Sequence, residues 1–252
     1  MAKRLTNQQR IEYVAFSGGV DSTALALLMP DAELIFTDTG WEFPHVYEHL
    51  DRFEQVTGRN VKRIVNEQFR GGIPEYITHS LFMPNHGARY CTDKFKITPM
   101  NKYLADGSIL NVALRADEPE RTGNLTKNIV IKYPLREKGM TRIDCVKICV
   151  ENDLLPRYPP YAARGGCKGC FYKRKSEIIA MQMLVPEVVD ELRELEESVQ
   201  DERGKYFYMF PNAGMSIADI QAQQPLFDFS YAYNQASDTS DYGAACGLFC
   251  NR

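Results

Sequence analysis

The sequence predicts an α/β protein built on a doubly wound parallel sheet, with a mostly helical or irregular C-terminal region. Three observations support this fold class. Short apolar runs alternate with helix-type patterns through the first part of the chain. A glycine-rich turn stands between the first strand and the first helix. The last third of the chain carries long helix-type patterns and an aromatic-rich tail instead.

Three strands separated by two helices open the chain. Residues 11–16 predict a buried strand, and residues 33–37 and 61–65 predict a second and a third strand. Residues 22–29 and 43–57 have the apolar spacing of helices. Strands that alternate with helices in this order form a parallel sheet covered on both faces.

The later segments are less regular. Residues 69–88 are rich in glycine and proline and predict an irregular loop over the sheet edge. Residues 176–199 predict a helix that Pro186 breaks or restarts. Further strand candidates are residues 108–114 and 129–133, and a further short helix is residues 143–153.

The composition is that of an ordinary globular protein, with 252 residues, 44% hydrophobic and 25% charged. The formal net charge of −3 gives no overall basic field, so a nucleic-acid partner would need a local basic patch. The sequence contains no long apolar run of membrane-span length. Because the first residues are polar, export is not expected and we predict a cytoplasmic location.

The chain contains seven cysteines, an odd number without a signal peptide, which argues against a disulfide framework. Metal binding or thiol chemistry is the better hypothesis. These residues are Cys91, Cys145, Cys149, Cys167, Cys170, Cys246 and Cys250.

The turn after the first strand has the composition of a phosphate-binding loop. Its glycines let the backbone approach phosphate oxygens, and its amides and the helix N-terminus supply positive potential. It lacks the lysine of the Gly-Lys-Ser/Thr loop and is not the dinucleotide fingerprint. The alternative is a plain turn between strand and helix. The loop residues are Ser17, Gly18, Gly19, Val20, Asp21, Ser22 and Thr23.

Residues 17–22 resemble the PP-loop of the ATP pyrophosphatase superfamily, whose fold is also called adenine nucleotide alpha hydrolase-like. Residues 36–44 are similar to the second motif of its phosphoadenosine phosphosulfate (PAPS) reductase branch. Members cleave ATP between the α and β phosphates and leave AMP on a substrate oxygen, or bind adenylyl sulfates. The resemblance implies that Asp38, Thr39 and Gly40 lie beside the nucleotide. The alternative role for Asp38 is to cap the following helix.

Two further segments resemble family motifs. Residues 112–121 are similar to a Gly-Ile-x-x-Asp-Glu-x-x-Arg element, with Leu114 and Arg115 where a glycine-led start is usual. The resemblance implies that Asp117 or Glu118 holds Mg²⁺ and that Arg115 or Arg121 clamps phosphate or sulfate. A solvated surface loop is the alternative. Residues 89–100 resemble the third motif, which implies phosphate contacts from basic residues there. Nucleotide contacts are thus expected from Arg89, Lys96 and Arg115, and catalytic roles from Asp21, Asp38, Asp117, Arg121 and Cys246.

The cysteine pattern resembles the iron–sulfur members of this branch. Cys91 lies in the third motif, and Cys167 and Cys170 form a Cys-x-x-Cys turn that presents two thiolates together. Cys145 is chosen as the fourth ligand because residues 142–145 resemble an Arg-x-Asp-Cys element of phage and bacterial relatives. A 4Fe–4S cluster on these four thiolates is the main hypothesis and zinc is the alternative. Cys149 is expected to be a small buried residue.

The C-terminal tail matches sulfonucleotide reductases only in Cys246-Gly247-Leu248. Ala245 and Phe249 stand where those enzymes have glutamate and histidine, so no local base would ionise the thiol. A chance similarity or a redox-accessible thiol pair is the preferred interpretation. Four basic residues surround the Cys-x-x-Cys turn: Lys168, Lys173, Arg174 and Lys175. They could contact the phosphate backbone of a nucleic acid, or they could simply be solvent-exposed residues at the start of a helix.

These resemblances imply two regions: residues 1–175, a nucleotide-binding domain with the cysteine set, and residues 176–252, a helix and tail packed on it. The first functional hypothesis is an ATP-using enzyme that adenylates a substrate for sulfur transfer, with an iron–sulfur cluster. Alternatives are a PAPS or adenylyl-sulfate reductase that releases sulfite, and a non-catalytic nucleotide-binding phage accessory protein. Expected partners are a sulfur donor or thioredoxin-like reductant, a nucleic-acid substrate, and a second copy of the chain.

Overall fold

The computed structural model describes residues 10–121, 128–162, 164–200 and 215–222. Five strands within these ranges form one sheet in which every neighbouring pair is parallel. The spatial order is β3-β2-β1-β4-β5. The strands are β1 (Glu12–Ala15), β2 (Glu33–Thr37), β3 (Val61–Ile64), β4 (Ile109–Asn111) and β5 (Val130–Lys132).

Helices connect and cover these strands, so the α/β fold predicted from the sequence is present. None of the described helices has both the length and the apolar character needed to cross a membrane. The helices are α1 (Val20–Leu28), α2 (Pro44–Thr57), α3 (Gly72–Ser80), α4 (Tyr90–Thr92), α5 (Thr98–Tyr103), α6 (Pro134–Glu137), α7 (Arg142–Glu151), α8 (Lys175–Leu184), α9 (Pro186–Gln200) and α10 (Ile217–Ala222). A π-helical turn, Asp93–Ile97, joins α4 to α5.

The central strand β1 marks the point where the chain reverses its direction of winding. Val14 on β1 lies opposite Leu34 of β2 on one side and Asn111 of β4 on the other. The chain runs outward from β1 through β2 to β3, and then returns to place β4 and β5 on the opposite side. In such sheets ligands bind outside the carboxyl ends of the strands, where the winding reverses. The loops after β1 and β4 meet at this place.

Alternate residues of β1 face two different apolar layers, as expected for a sheet buried on both faces. Val14 joins a cluster formed with α1, α2 and α7. Tyr13 belongs to another apolar cluster, which includes Met100 on α5 and Leu104 just after that helix. The sheet is therefore enclosed by helices on both sides, and its carboxyl edge is the place where polar loops gather.

The C-terminal helices pack beside the loop that follows β2. Met181 of α8 and Leu192 of α9 belong to the same apolar cluster as Trp41, Phe43 and Ile73. The predicted break at Pro186 is confirmed, because α8 ends at Leu184 and α9 begins at Pro186.

The prediction that residues 69–88 form an irregular loop is wrong, because α3 occupies its middle. Gly72, at φ +79°, lets the chain pass so close to the β2 loop that a Cβ there would lie 2.4 Å from the Thr39 carbonyl oxygen. The Ile73 amide donates to that same oxygen at 3.0 Å. Ile73 and Ile77 are buried, so tertiary packing stabilises a helix whose glycine and proline content argued against one.

Candidate nucleotide site and cysteine region

The glycine loop links the carboxyl end of β1 directly to the N-terminus of α1, as predicted. Gly18 has φ +71°, and a Cβ there would lie 2.9 Å from Leu50 Cδ1. Gly19 has an extended conformation, and a Cβ there would meet only Ser17 Oγ at 3.5 Å and Tyr158 Oη at 3.9 Å. Gly18 is therefore required by the fold, whereas the space beside Gly19 is open to a phosphate oxygen.

The hydroxyl groups of the loop divide into two kinds. Ser22 and Thr23 are buried, and each donates a hydrogen bond to the Gly19 carbonyl oxygen, at 3.0 and 2.9 Å. Ser22 Oγ also accepts from the Ser17 amide at 3.2 Å. These two hydroxyls hold the shape of the loop. Ser17 is exposed, with its Oγ 3.0 Å from Ser22 Oγ, and so can reach a ligand.

His49 on α2 supports the loop from behind. Its Nε2 lies 2.9 Å from Thr23 Oγ1 in a buried contact. Burial lowers the pKa of His49 to about 4, and the positive charge of Arg52 contributes a smaller effect in the same direction. The ring is therefore neutral at pH 7, and adds rigidity rather than charge to the loop.

Asp21 is the point where three separate segments meet. Arg115 Nη1, from the loop after β4, lies 2.6 Å from Asp21 Oδ2. Arg142 Nη1, from the first residue of α7, lies 2.8 Å from Asp21 Oδ1. One carboxylate thus aligns two guanidinium groups beside the phosphate-binding loop. Aligned guanidinium groups suit the recognition of phosphate.

The segment after β4 forms an ion-pair network. Asp117 accepts hydrogen bonds from Arg115 Nε at 2.8 Å and Nη2 at 3.2 Å. Hydrogen bonding to Arg115 is the main reason that the pKa of Asp117 is lowered. The buried Arg121 pairs with Glu118, and Arg136 Nη2 donates to the carbonyl oxygens of both residues.

This network bears on two predictions. The segment is not the solvated loop that was the alternative, because Arg121 is buried. The carboxylates of Asp117 and Glu118, predicted to hold Mg²⁺, are instead paired with arginines in this arrangement. Glu118 Oε2 is buried and has no hydrogen-bond partner among the described residues.

The Asp38 turn lies at the carboxyl end of β2. Asp38 Oδ1 accepts hydrogen bonds from the Gly40 amide and from Tyr47 Oη, both at 2.8 Å. The N-cap of α2 is Phe43, so Asp38 shapes its own turn and does not cap that helix. Thr39 is buried and donates to Glu42 Oε1 at 2.9 Å.

The Cys-x-x-Cys turn docks on this same loop. The Lys168 amide donates to the Trp41 carbonyl oxygen at 2.8 Å, and a Cβ at Gly169 would lie 2.1 Å from Trp41 Cη2. Cys167 Sγ donates to Glu42 Oε1 at 3.6 Å and lies 3.4 Å from Thr39 Oγ1. The structure thus brings Cys167 to the turn that was predicted to lie beside the nucleotide.

Glu42 is the buried carboxyl group of this contact. Burial raises the pKa of Glu42, while the positive charge of Lys96 and the hydrogen bonds from Thr39 and Cys167 oppose the rise. Lys96 is therefore close enough to act on Glu42, and it lies on the π-helical turn. Arg89, the other basic residue predicted from this motif, has its guanidinium 5.8 Å from the Tyr172 ring centroid.

Cys145 and Cys149 lie elsewhere, in the apolar layer between α1 and α7. Both are fully buried, and Cys149 Sγ donates to the Val20 carbonyl oxygen at 3.4 Å. Burial raises the pKa of each thiol to about 12, with the negative charge of Asp21 contributing next. The expectation that Cys149 is a small buried residue agrees with this position.

The predicted four-thiolate site does not fit this arrangement. Cys91 and Cys167 pack against the cluster of α3, α8 and α9, whereas Cys145 is in the core beneath the glycine loop. Across the described ranges, no three or more His, Cys, Asp or Glu residues are grouped as metal ligands. The assignment of Cys145 as the fourth ligand is therefore not supported. Cys246 and Cys250 lie outside the described residues.

Two of the four basic residues around the Cys-x-x-Cys turn form internal ion pairs. Lys168 Nζ lies 3.0 Å from Glu191 Oε2. Lys173 is buried, with its Nζ 4.8 Å from the Phe43 ring centroid and 3.8 Å from Glu177 Oε1. These two lysines are therefore engaged inside the protein, and the predicted phosphate-backbone contact stays a prediction for the group.

Sequence reasoning missed Arg142, Tyr158 and Glu42 as site residues. Arg142 follows Thr141, which forms a capping box with Asp144, so the start of α7 was recognisable. The sequence did not indicate that the Arg142 side chain points toward Asp21. Tyr158 reaches the loop from an irregular segment that has no periodic signal.

Comparison with protein families agrees with this geometry. Residues 12–132 match the model described as the phosphoadenosine phosphosulfate reductase domain. This part of the chain is a PAPS reductase-like domain of the PP-loop superfamily. The match begins in β1 and ends in β5, so it covers the whole sheet, the glycine loop and the Asp38 turn.

The chain also resembles two uncharacterized proteins of Methanocaldococcus jannaschii. One is 30% identical over 98 residues, which is 37% of this chain and 19% of the relative. The other is 26% identical over 190 residues, which is 69% of this chain and 44% of the relative. The chain thus spans less than half the length of these relatives.

Among solved structures, a crystal structure of PAPS reductase from Candida auris in a phosphate complex is similar at a TM-score of 0.43 and 14% identity. The match covers 59% of this chain and 75% of that chain.

Proposed function

We propose that this PAPS reductase-like protein binds ATP on residues 17–23 and uses it to adenylate a substrate oxygen. A sulfur nucleophile then attacks the substrate carbon, the carbon–oxygen bond breaks, and AMP leaves with that oxygen. The observation that carries the proposal is the intact Ser-Gly-Gly-Val-Asp-Ser loop where the winding of the sheet reverses, with Arg115 and Arg142 aligned on Asp21 beside it. An anionic ligand there meets loop amides, the N-terminus of α1 and two guanidinium groups.

The proposed reaction follows from that charge distribution. A substrate oxygen attacks the α-phosphorus, the bond from the α-phosphorus to the bridging oxygen breaks, and pyrophosphate leaves. Negative charge grows on the leaving group, so fixed donors aimed at it lower the barrier. Arg115 and Arg142 are the residues proposed for this role, and Ser17 is proposed to donate to a phosphate oxygen.

Other residues are proposed to position the nucleotide. Asp38, fixed by Gly40 and Tyr47, would orient the adenosine at the end of β2. Mg²⁺ bound with ATP would neutralise part of the phosphate charge. We assign no step to an iron–sulfur cluster here; of the four cysteines predicted to hold it, Cys145 lies in a different apolar cluster from Cys91 and Cys167.

Reduction of PAPS or adenylyl sulfate with release of sulfite is the second candidate. The position of Cys167 favours it, because this thiol lies 3.4 Å from the hydroxyl of Thr39 in the turn proposed to contact the nucleotide. The two functions differ in product. ATP with an acceptor yields pyrophosphate in the first, whereas PAPS with a thioredoxin-type reductant yields sulfite in the second.

The test uses Gly19, the loop glycine beside which the structure leaves space for a side chain. Gly19→Ala meets no contact shorter than 3.5 Å in the free protein, so we expect the variant to fold. Its methyl group would occupy the space proposed for a phosphate oxygen, and ATP affinity should fall at least about tenfold, equal to ~1.4 kcal/mol. Affinity is measured by isothermal titration calorimetry and folding by circular dichroism.

Gly87→Ala is the matched control, because a Cβ there also meets nothing closer than 3.5 Å and lies away from the loop. This variant should bind ATP like the unchanged protein. Equal ATP affinity in both variants would contradict the loop as the binding site.

A further inference from the structure

A second polar cavity lies beside the edge strand β3, apart from the glycine loop. It has a volume of about 370 Å³ and is open to solvent along one side. Residues from β3, the segment after it, and α5 line it, including Lys62, Arg63, Ile64, Asn66, Lys102 and Tyr103. We call it the β3 groove.

Three cationic side chains and one carboxylate, Glu67, line the β3 groove, and Glu67 is paired with Arg70. Arg63 is paired with Asp51 and Glu54. Lys62 and Lys102 are exposed, and neither forms an ion pair with another residue of the described ranges. Lys62 Nζ lies 5.9 Å from the ring centroid of Tyr103, which is 37% exposed.

Tyr103 is held in place from below, so its exposed ring is a rigid platform. Its ring meets that of Tyr13 edge-on, with centroids 6.2 Å apart and an interplanar angle of 71°. Tyr13 itself is buried in β1. An exposed aromatic ring in a groove that two lysines also line suits single-stranded nucleic acid, because a base can stack on the ring and phosphates can meet the cations.

The β3 groove begins at the same edge of the sheet as the proposed nucleotide site. The Asp38 amide donates to the Ile64 carbonyl oxygen at 2.8 Å, and Ile64 lines the groove. Asn66, also in the lining, donates through Nδ2 to the Lys94 carbonyl oxygen at 2.9 Å. A strand lying in the groove would therefore end beside the Asp38 turn.

We infer that the β3 groove binds single-stranded nucleic acid, with a base stacked on Tyr103 and phosphates contacting Lys62 and Lys102. This inference rests on the proposed function in one respect, since it makes the bound strand the acceptor presented to the activated nucleotide. The open side lets a chain enter and leave.

The experiment measures binding of a fluorescein-labelled 12-nucleotide single strand, as DNA and as RNA, by fluorescence anisotropy without ATP. The unchanged full-length chain is compared with the double variant Lys62→Glu and Lys102→Glu. We expect affinity to fall at least about tenfold in the double variant, with a shallower dependence on salt because two phosphate contacts are lost. Tyr103→Ala should weaken binding about fivefold or more through lost stacking.

The matched control is the double variant Lys138→Glu and Lys147→Glu, which changes the net charge equally at exposed positions after α6 and on α7. It should bind the oligonucleotide like the unchanged protein. Tyr103→Leu keeps an apolar side chain against Tyr13 but removes the aromatic face, so it should lose affinity while remaining folded.

Three results would overturn the inference: no oligonucleotide binding by the unchanged protein, equal weakening by both double variants, or full affinity in Tyr103→Leu. ATP affinity is measured separately on each variant and should stay unchanged. If the unchanged protein does not bind ATP, the proposed function is contradicted but the inference about the groove is not, because the oligonucleotide assay contains no ATP.

Discussion

The two pairs of cysteines on either side of the sheet's carboxyl edge have the same chemistry but different surroundings. Cys145 and Cys149 are one helical turn apart on α7, and their shared face is buried against α1. Cys167 and Cys170 lie on a half-buried turn, where Cys167 meets the polar side chains of Thr39 and Glu42. A buried thiol with a raised pKa behaves as a small apolar residue, whereas a half-buried thiol on a turn can be reached by a reagent.

The largest expected difference between the two pairs is in their rates of alkylation. Because the pKa of Cys145 and Cys149 is about 12, almost none of either thiol is ionised at pH 8. We expect iodoacetamide to modify them at least about 100-fold more slowly than Cys167 or Cys170, since only the thiolate reacts. The rates are measured by peptide mass spectrometry on chelator-treated protein.

The pH dependence follows from the same shift. Raising the pH toward 12 should increase the modification of Cys145 and Cys149, provided the protein stays folded. All described cysteines should react at similar rates in urea. Fast modification of Cys145 in the folded protein at pH 8 would mean that the α1–α7 layer does not bury it.

The contribution of the two guanidinium groups beside the glycine loop to ATP binding can be tested at Arg142. Arg142→Ala removes one of the two guanidinium groups that Asp21 aligns. ATP affinity should fall about tenfold, as for the loss of one charge-assisted contact to phosphate. Titration calorimetry with ATP measures the change.

Arg193→Ala is the control for this test. Its side chain is 36% exposed and forms ion pairs with Asp190 and Glu197, against 37% exposure for Arg142. It lies on α9, away from the loop. If both alanine variants bind ATP equally well, Arg142 has no role in nucleotide binding.

The smallest expected effect concerns stability. Cys149→Ala removes a fully buried sulfur that packs between α1 and α7, so the free energy of unfolding should fall by about 1–2 kcal/mol. Cys170→Ala, at a half-buried position, should lower it by no more than about 0.5 kcal/mol. Urea unfolding followed by circular dichroism gives both values. An equal cost at the two positions would remove the distinction between the pairs.

Local patterns in the sequence predicted most of the fold. The strands of residues 33–37 and the helix of residues 43–57 were recognisable because apolar spacing and proline or glycine boundaries are features of short segments. The helix α3 was not recognisable, because its stability comes from the close approach of Gly72 to the Thr39 carbonyl oxygen and from burial of Ile73 and Ile77.

The sequence by itself determined the glycine loop, its position between β1 and α1, and the membership of residues 12–132 in the PAPS reductase-like domain. Only the tertiary structure decided which distant groups meet. Arg115 and Arg142 reach Asp21 across 94 and 121 positions of the chain, and Cys167 reaches Thr39 across 128. Periodicity and spacing describe neighbours along the chain. Contacts over such separations depend on how the sheet and helices pack, and this packing separated Cys145 from Cys167.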